Sequence, residues 1–176
     1  MGQSDCVVDF RSEAELVNFA AKAALRLRDA KRWPLLVGLR GELGAGKTTW
    51  VRALLRGLGY AARVPSPTYT LLEHYAVADL TVVHLDLYRL VSEEELENLG
   101  LRDWLAARAT WVLVEWPDRA PWLAARADLM LRLEDRGGSA RRLTAEATTA
   151  AGTQALQNSC KDGLTTIANS LFPMRK

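Results

Sequence analysis

Residues 41–49, Gly41-Glu42-Leu43-Gly44-Ala45-Gly46-Lys47-Thr48-Thr49, constrain this chain more than any other stretch. They match the pattern G-x-x-x-x-G-K-[ST] in full. A bound triphosphate needs several backbone N–H groups aimed inward at its oxygens. Gly41, Gly44 and Gly46 let the chain curl that tightly, because a residue without Cβ tolerates positive φ and close approach. Lys47 places a compact cation on the β- and γ-phosphates, and Thr48 offers a hydroxyl to Mg²⁺. The flanks suit the motif. Leu35-Leu36-Val37-Gly38-Leu39 reads as a buried strand, and 48–58 reads as a helix stopped by Gly57 and Gly59. That helix would aim its N-terminal dipole at the phosphates. A chance Gly-rich turn would not need this setting, nor both Lys47 and Thr48.

The remaining pattern alternates strands and helices. Cys6 to Phe10 reads as a first strand. Ser12 and Glu15 form a capping box that opens a helix running to about Arg28. Lys31-Arg32-Trp33-Pro34 is a turn into the phosphate-loop strand. Tyr69 to Val77 and Leu80 to Leu85 are β-rich runs around a tight turn at Ala78-Asp79. Ser92 and Glu95 open a short acidic helix that ends near Gly100, and 101–107 is a second short helical segment. Trp111 to Glu115 is an interior strand, 117–127 is helical, and 128–134 with 140–147 form a hairpin around Asp135-Arg136-Gly137-Gly138. The expectation is an α/β protein of the three-layer phosphate-loop NTPase fold, with a central mixed parallel/antiparallel sheet flanked by helices. The ATPase domain would span 1–147. At 148–176 the composition turns small and polar, predicting a flexible tail or a short helix around 164–171.

Three further places carry chemistry. Val64-Pro65-Ser66-Pro67-Thr68-Tyr69 holds two prolines, which exclude helix and favour a stiff loop. Ser66 and Thr68 on such a loop, shortly after the phosphate-loop helix, suit a γ-phosphate sensor. Asp86 and Glu115 each end an apolar strand, where a carboxylate can hold Mg²⁺ directly or through water. One would serve the metal and the other would orient the attacking water; spacing leaves the assignment open. His84 shares a strand face with Asp86. With no second His or Cys nearby it reads as a packed, hydrogen-bonded histidine and not a metal ligand. Arg89 would reach a phosphate, a partner or a surface carboxylate. Trp116 beside Glu115 is read as packing that also shields the metal site.

Together these residues resemble the TsaE (YjeE) family, the small bacterial ATPase of the tRNA threonylcarbamoyladenosine pathway. The resemblance rests on residues 41–49, on Ser66-Pro67-Thr68-Tyr69-Thr70-Leu71, on His84-Leu85-Asp86-Leu87-Tyr88-Arg89-Leu90, on Gly100-Leu101 and on Glu115-Trp116-Pro117, in that order, and covers roughly 5–147. The phosphate loop alone is common; the combination is specific. The resemblance implies an ATPase, weak alone, that works with the TsaB–TsaD pair. That pair transfers a threonylcarbamoyl group to adenosine 37 of ANN-decoding tRNAs, so tRNA is met only through the complex. It also implies ATP and Mg²⁺ as cofactors. Lys47 and Gly44, Ala45, Gly46, Thr48 and Thr49 would hold the phosphates, and Thr48 and Glu115 would be the Mg²⁺ ligands. Asp86 would be the essential catalytic or switch carboxylate. Ser66, Pro67, Thr68 and Tyr69 would form the nucleotide-responsive loop, and Arg141 or Arg142 would approach the nucleotide. Glu15 is the best match for a threonine that the family often uses on the base side.

The wider composition bounds the alternatives. A net charge of +2 gives no electrostatic case for strong direct nucleic-acid binding. Cys6 and Cys160 suggest neither a disulfide framework nor a metal cluster, which fits a reduced, cytoplasmic setting. The first ten residues lack a basic region followed by an apolar run, and no apolar run approaches 18 residues, so no membrane association is expected. A small-molecule kinase on the same fold would need a lid, and no lid insertion stands between Gly100 and Glu115. A GTP-dependent switch would carry [NT]-K-x-D, which is absent from the sequence.

Overall fold

The computed structural model describes residues 5–67 and 69–159 of the 176-residue chain. Seven strands form one sheet: β1 (Asp5–Phe10), β2 (Leu35–Arg40), β3 (Leu72–Val77), β4 (Leu80–Asp86), β5 (Thr110–Glu115), β6 (Leu129–Asp135) and β7 (Arg141–Ala147). Their spatial order is β1-β7-β6-β2-β5-β4-β3. The central strands β6, β2, β5 and β4 run parallel, while β7, β1 and β3 attach antiparallel at the flanks. The burial of each strand follows its place. β2 and β5 are covered on both faces and are near-continuous apolar runs, whereas the outer β3 and β7 alternate buried with more exposed residues.

Among the described residues six helices cover the two faces: α1 (Glu13–Asp29), α2 (Lys47–Gly57), α3 (Glu94–Asn98), α4 (Leu101–Ala106), α5 (Pro121–Ala124) and α6 (Ala150–Ser159). The period-2 geometry of the strands sends alternate residues into separate cores. Leu35, Val37 and Leu39 face α1, α2 and α6, while Leu36, Val112 and Val114 face α3, α4 and α5. The helix α1 starts as its sequence predicts: Ser12 Oγ accepts the Glu15 N–H at 3.3 Å, and Glu15 reaches back to the Arg11 N–H at 2.7 Å.

Two expectations change. The segment 117–127 is not one helix but a 3-10 turn, Pro117–Arg119, followed by the single helical turn α5. Pro121 lies at the start of that turn, where its missing N–H and fixed φ are tolerated, and so it separates the two pieces. The beginning of 148–176 is a packed helix, α6, with Ala155 and Leu156 buried against α1 and β7. Gly152 lies so close to β6 that a Cβ there would run into the Asp128 carbonyl. The helix read at 164–171 lies outside the described residues. Among the described residues no helix is long and apolar enough to cross a membrane.

Candidate active site

The parallel strands β2, β4 and β5 end together, and the register sets Asp86 beside Glu115 and Glu115 beside Leu39. The connection that leaves β2 is therefore delivered next to both carboxylates, in the crevice beyond the carboxyl ends of the strands. Backbone bonds pin this edge: Trp116 N–H donates to Leu39 O at 3.2 Å and Leu87 N–H to Glu115 O at 3.1 Å.

The loop itself has the shape its glycines permit. Gly41 has φ 144° and a Cβ on it would collide with the Leu133 carbonyl; Gly46, with φ 104°, is the residue from which α2 starts. Among the described residues no side chain caps α2, so its first N–H groups face the crevice with the positive end of the helix dipole. Lys47 Nζ donates to Gly41 O at 2.6 Å and Glu42 O at 2.9 Å, and it sits 4.0 Å from the centroid of the Trp116 ring. The side chain is thus folded back over its own loop and only 4% exposed. Burial pushes the Lys47 ammonium below its usual range; Glu115, Asp86 and Glu42 oppose that shift.

Thr48 Oγ1 donates to Glu115 Oε1 at 2.8 Å. The same oxygen is 2.8 Å from His84 Nε2. Asp86 is held separately: Ser66 Oγ is 3.3 Å from its Oδ2, and Tyr88 N–H donates to its Oδ1 at 3.1 Å. Both carboxylates, Lys47, Thr48 and Thr49 line one open cleft of about 340 Å³, with Leu43, Tyr88, Arg89 and Trp116 at its walls. The Tyr88 and Trp116 rings lie 5.1 Å apart, and the Arg89 guanidinium stands 4.7 Å from the Tyr69 ring. Thr48 and the two carboxylates are hard oxygen donors. Among the described residues no group of three or more His, Cys, Asp or Glu side chains is placed to hold a metal ion. A cation here would take only part of its shell from protein and the rest from water and phosphate, which suits Mg²⁺.

A smaller cleft of about 60 Å³ lies on the other side of the loop, lined by Glu13, Leu16, Gly44, Gly46, Thr49, Ser139 and Arg141. The two candidate arginines of the hairpin therefore separate. Arg141 borders the phosphate loop, its Nη1 bonded to Asp135, Gly138 and Ala140. Arg142 turns the other way and grips Asp9 of β1 at 2.6 and 2.7 Å. Glu15 is committed to the N-terminus of α1, and it is Glu13 that borders this cleft.

Most of the predicted residues thus converge. Gly44, Gly46, Lys47, Thr48, Thr49, Ser66, Asp86 and Glu115 share one cleft. Gly41 forms the root of the loop, and Ala45 is buried beneath it with its N–H on Glu42 O. Of the switch segment, Pro67 is buried, Tyr69 is exposed, and Thr68 lies outside the described residues. The bond from His84 to Glu115 and the place of Tyr88 on the cleft wall were not read from sequence. Strand alternation signals the first, since it puts His84 and Asp86 on one face; pairing with β5 puts Glu115 there too.

The sheet order, the loop after β2 and the carboxylates beside it define a phosphate-loop protein of the α/β class. A family model described as "Threonylcarbamoyl adenosine biosynthesis protein TsaE" matches residues 10–143. This chain belongs to the TsaE family. It is 39% identical over 125 residues to a tRNA threonylcarbamoyladenosine biosynthesis protein TsaE of Haemophilus influenzae, covering 69% of this chain and 77% of that protein. It is 35% identical over 106 residues to the protein of the same description from Bacillus subtilis, covering 60% and 65%. A crystal structure of YdiB of Bacillus subtilis shares the fold, with a TM-score of 0.70 at 20% identity, over 92% of this chain and 97% of that one.

Proposed function

We propose that this chain is a Mg²⁺-dependent ATPase of tRNA threonylcarbamoyladenosine biosynthesis, supporting a TsaB–TsaD pair that modifies position 37 of tRNA. The observation that carries the reading is the 2.8 Å bond from Thr48 Oγ1 to Glu115 Oε1 at the mouth of an intact phosphate loop. By donating its hydrogen to Glu115, Thr48 leaves its lone pairs for a cation. Bound there, Mg²⁺ would offset negative charge on the β- and γ-phosphates.

The chain's own groups have distinct tasks. The uncapped N–H groups of α2 and the Lys47 ammonium take the phosphate oxygens. Lys47 has two of its three hydrogens on loop carbonyls, which fixes the direction of the third. Glu115 holds Thr48 and completes the metal side. Asp86, bonded to Ser66 of the switch segment, is the group placed to accept a hydrogen bond from an attacking water. The Tyr88–Trp116 pair forms one aromatic wall of the crevice. Arg141 sits where the rest of a nucleotide would leave the loop.

The test is ATP hydrolysis with Mg²⁺, with and without a purified TsaB–TsaD pair, for the natural chain and Asp86→Ala. Low activity alone, a rise with the pair and loss in the variant are expected. Vigorous hydrolysis that ignores the pair, or phosphate transfer to a small acceptor, would overturn the reading in favour of a kinase.

A further inference from the structure

Resting on the ATPase reading, we propose that His84 is a positioning residue for the metal-side carboxylate: it locks Glu115 by a buried hydrogen bond, and without it the Mg²⁺-dependent part of nucleotide binding weakens. His84 lies in β4, fully buried, two residues before Asp86. Its Nε2 is 2.8 Å from Glu115 Oε1, across the β4–β5 pairing. Glu115 is itself only 2% exposed.

The hydrogen positions follow from chemistry. A carboxylate oxygen offers only lone pairs, so the hydrogen of this bond sits on Nε2. The other ring nitrogen, Nδ1, is buried and has no hydrogen-bond partner among the described residues. A hydrogen on Nδ1 would have no acceptor, and it would leave two sets of lone pairs facing each other across 2.8 Å. The environment therefore selects the Nε2–H tautomer.

An imidazole with one nitrogen unpaired is an expensive way to fill a core. An apolar side chain between the same strands would pack there without burying an unsatisfied polar atom. What the imidazole supplies is direction. Glu115 Oε1 receives Thr48 from the phosphate loop and His84 from the sheet, two donors on different elements. Together they hold the carboxylate in one rotamer, while Oε2 takes neither bond and Glu115 lines the cleft. Partners of this kind are commonly needed for full metal affinity even though they never touch the ion.

The experiment is a Mg²⁺ titration, by calorimetry, of the binding of a non-hydrolysable ATP analogue to the full chain, for the natural protein, His84→Phe and His84→Gln. Glutamine carries an N–H donor at the same number of bonds from Cβ as Nε2. We expect His84→Phe to raise the half-saturating Mg²⁺ concentration about tenfold or more. Its binding of the analogue in EDTA should stay within about twofold of the natural chain, and His84→Gln should recover Mg²⁺ affinity to within about threefold. A loss in His84→Phe that is equal with and without Mg²⁺, or no loss at all, overturns the proposal, because packing alone would do either. Two-bond ¹H–¹⁵N spectra of the natural chain give a second readout that stands even if His84→Phe does not fold. Hydrogen on Nε2 supports the proposal, and a ring that carries hydrogen on Nδ1 alone overturns it. A natural chain whose analogue binding ignores Mg²⁺ overturns the ATPase reading as well, whereas a Mg²⁺-dependent natural chain with an unaffected Phe variant overturns the His84 assignment alone.

Discussion

Lys47 lies under Trp116, its ammonium nitrogen 4.0 Å from the ring centroid. The two residues come from different ends of the crevice, one opening α2 and the other leaving β5. Trp116 takes this place in a left-handed conformation, φ 58°, that residues with a side chain seldom adopt. The ring holds the lysine against the loop carbonyls and keeps water from it.

Trp116→Ala should therefore weaken ATP binding, by about twofold to thirtyfold given the ~0.5–2 kcal/mol of such a contact. Trp116→Phe should retain most of the affinity, since it keeps an aromatic face. Calorimetric titration decides this, and equal affinities for the natural chain and the Ala variant would show that the ring contributes nothing to the lysine.

Arg141 and Arg142 are neighbours in β7 with opposite assignments. Arg141→Ala should reduce nucleotide affinity, because Arg141 borders the loop beside Gly44 and Thr49. Arg142→Ala should leave affinity unchanged and alter stability at neutral pH little, since its pair with Asp9 is solvent-accessible. The Arg142 guanidinium also holds the Asp9 carboxyl below its usual range. That contribution is present above the ordinary carboxylate value of 3.8 and is lost as the pH falls below it. Acid unfolding of Arg142→Ala should accordingly show a flatter slope below that pH.

Tyr75 packs edge-on against Tyr60 with centroids 5.1 Å apart, and its hydroxyl is buried without a partner among the described residues. Tyr75→Phe should be neutral or stabilising by about 1 kcal/mol at neutral pH. Burial also pushes the Tyr75 phenol from 10.0 up to about 12. The folded state keeps this proton after the unfolded chain has lost it, so stability falls as the pH rises from about 10 towards 12. The Phe variant should lack that part of the alkaline loss, which denaturant melts across this window measure.

Leu156 of α6 is 6% exposed and belongs to the core between the sheet and α1. Leu156→Ala should destabilise by roughly 2–5 kcal/mol. Cutting the chain after Ala147 should lower the melting temperature further, by removing all of α6. A truncated chain as stable as the natural one would show that the helix adds nothing to the domain.

The individual elements were legible because each carries its own local signal. The phosphate loop is contiguous, so its glycines, Lys47 and Thr48 could be read without knowing any other part of the fold. Ser12 with Glu15 marked the start of α1, the apolar run of β5 ended at Glu115 as read, and β2 ran one residue past the Leu39 read as its end. The 3-10 turn at Pro117–Arg119 was hidden by apolar residues spaced as in a helix. The packed α6 was hidden by small residues whose burial depends on a neighbour, as Gly152 depends on Asp128.

The sequence by itself determined that this chain would build a phosphate loop between a buried strand and a helix, and that Asp86 and Glu115 would each end a strand beside it. Local chemistry sufficed, since glycine conformations, caps and strand patterns act over a few residues. Only the tertiary structure decided which groups share a carboxylate oxygen, which arginine borders the loop and which aromatic ring covers Lys47. Those facts follow from strand order and register, which bring residues 48 and 84 each within hydrogen-bonding distance of residue 115. Register is a property of paired strands, and no single stretch of chain encodes it.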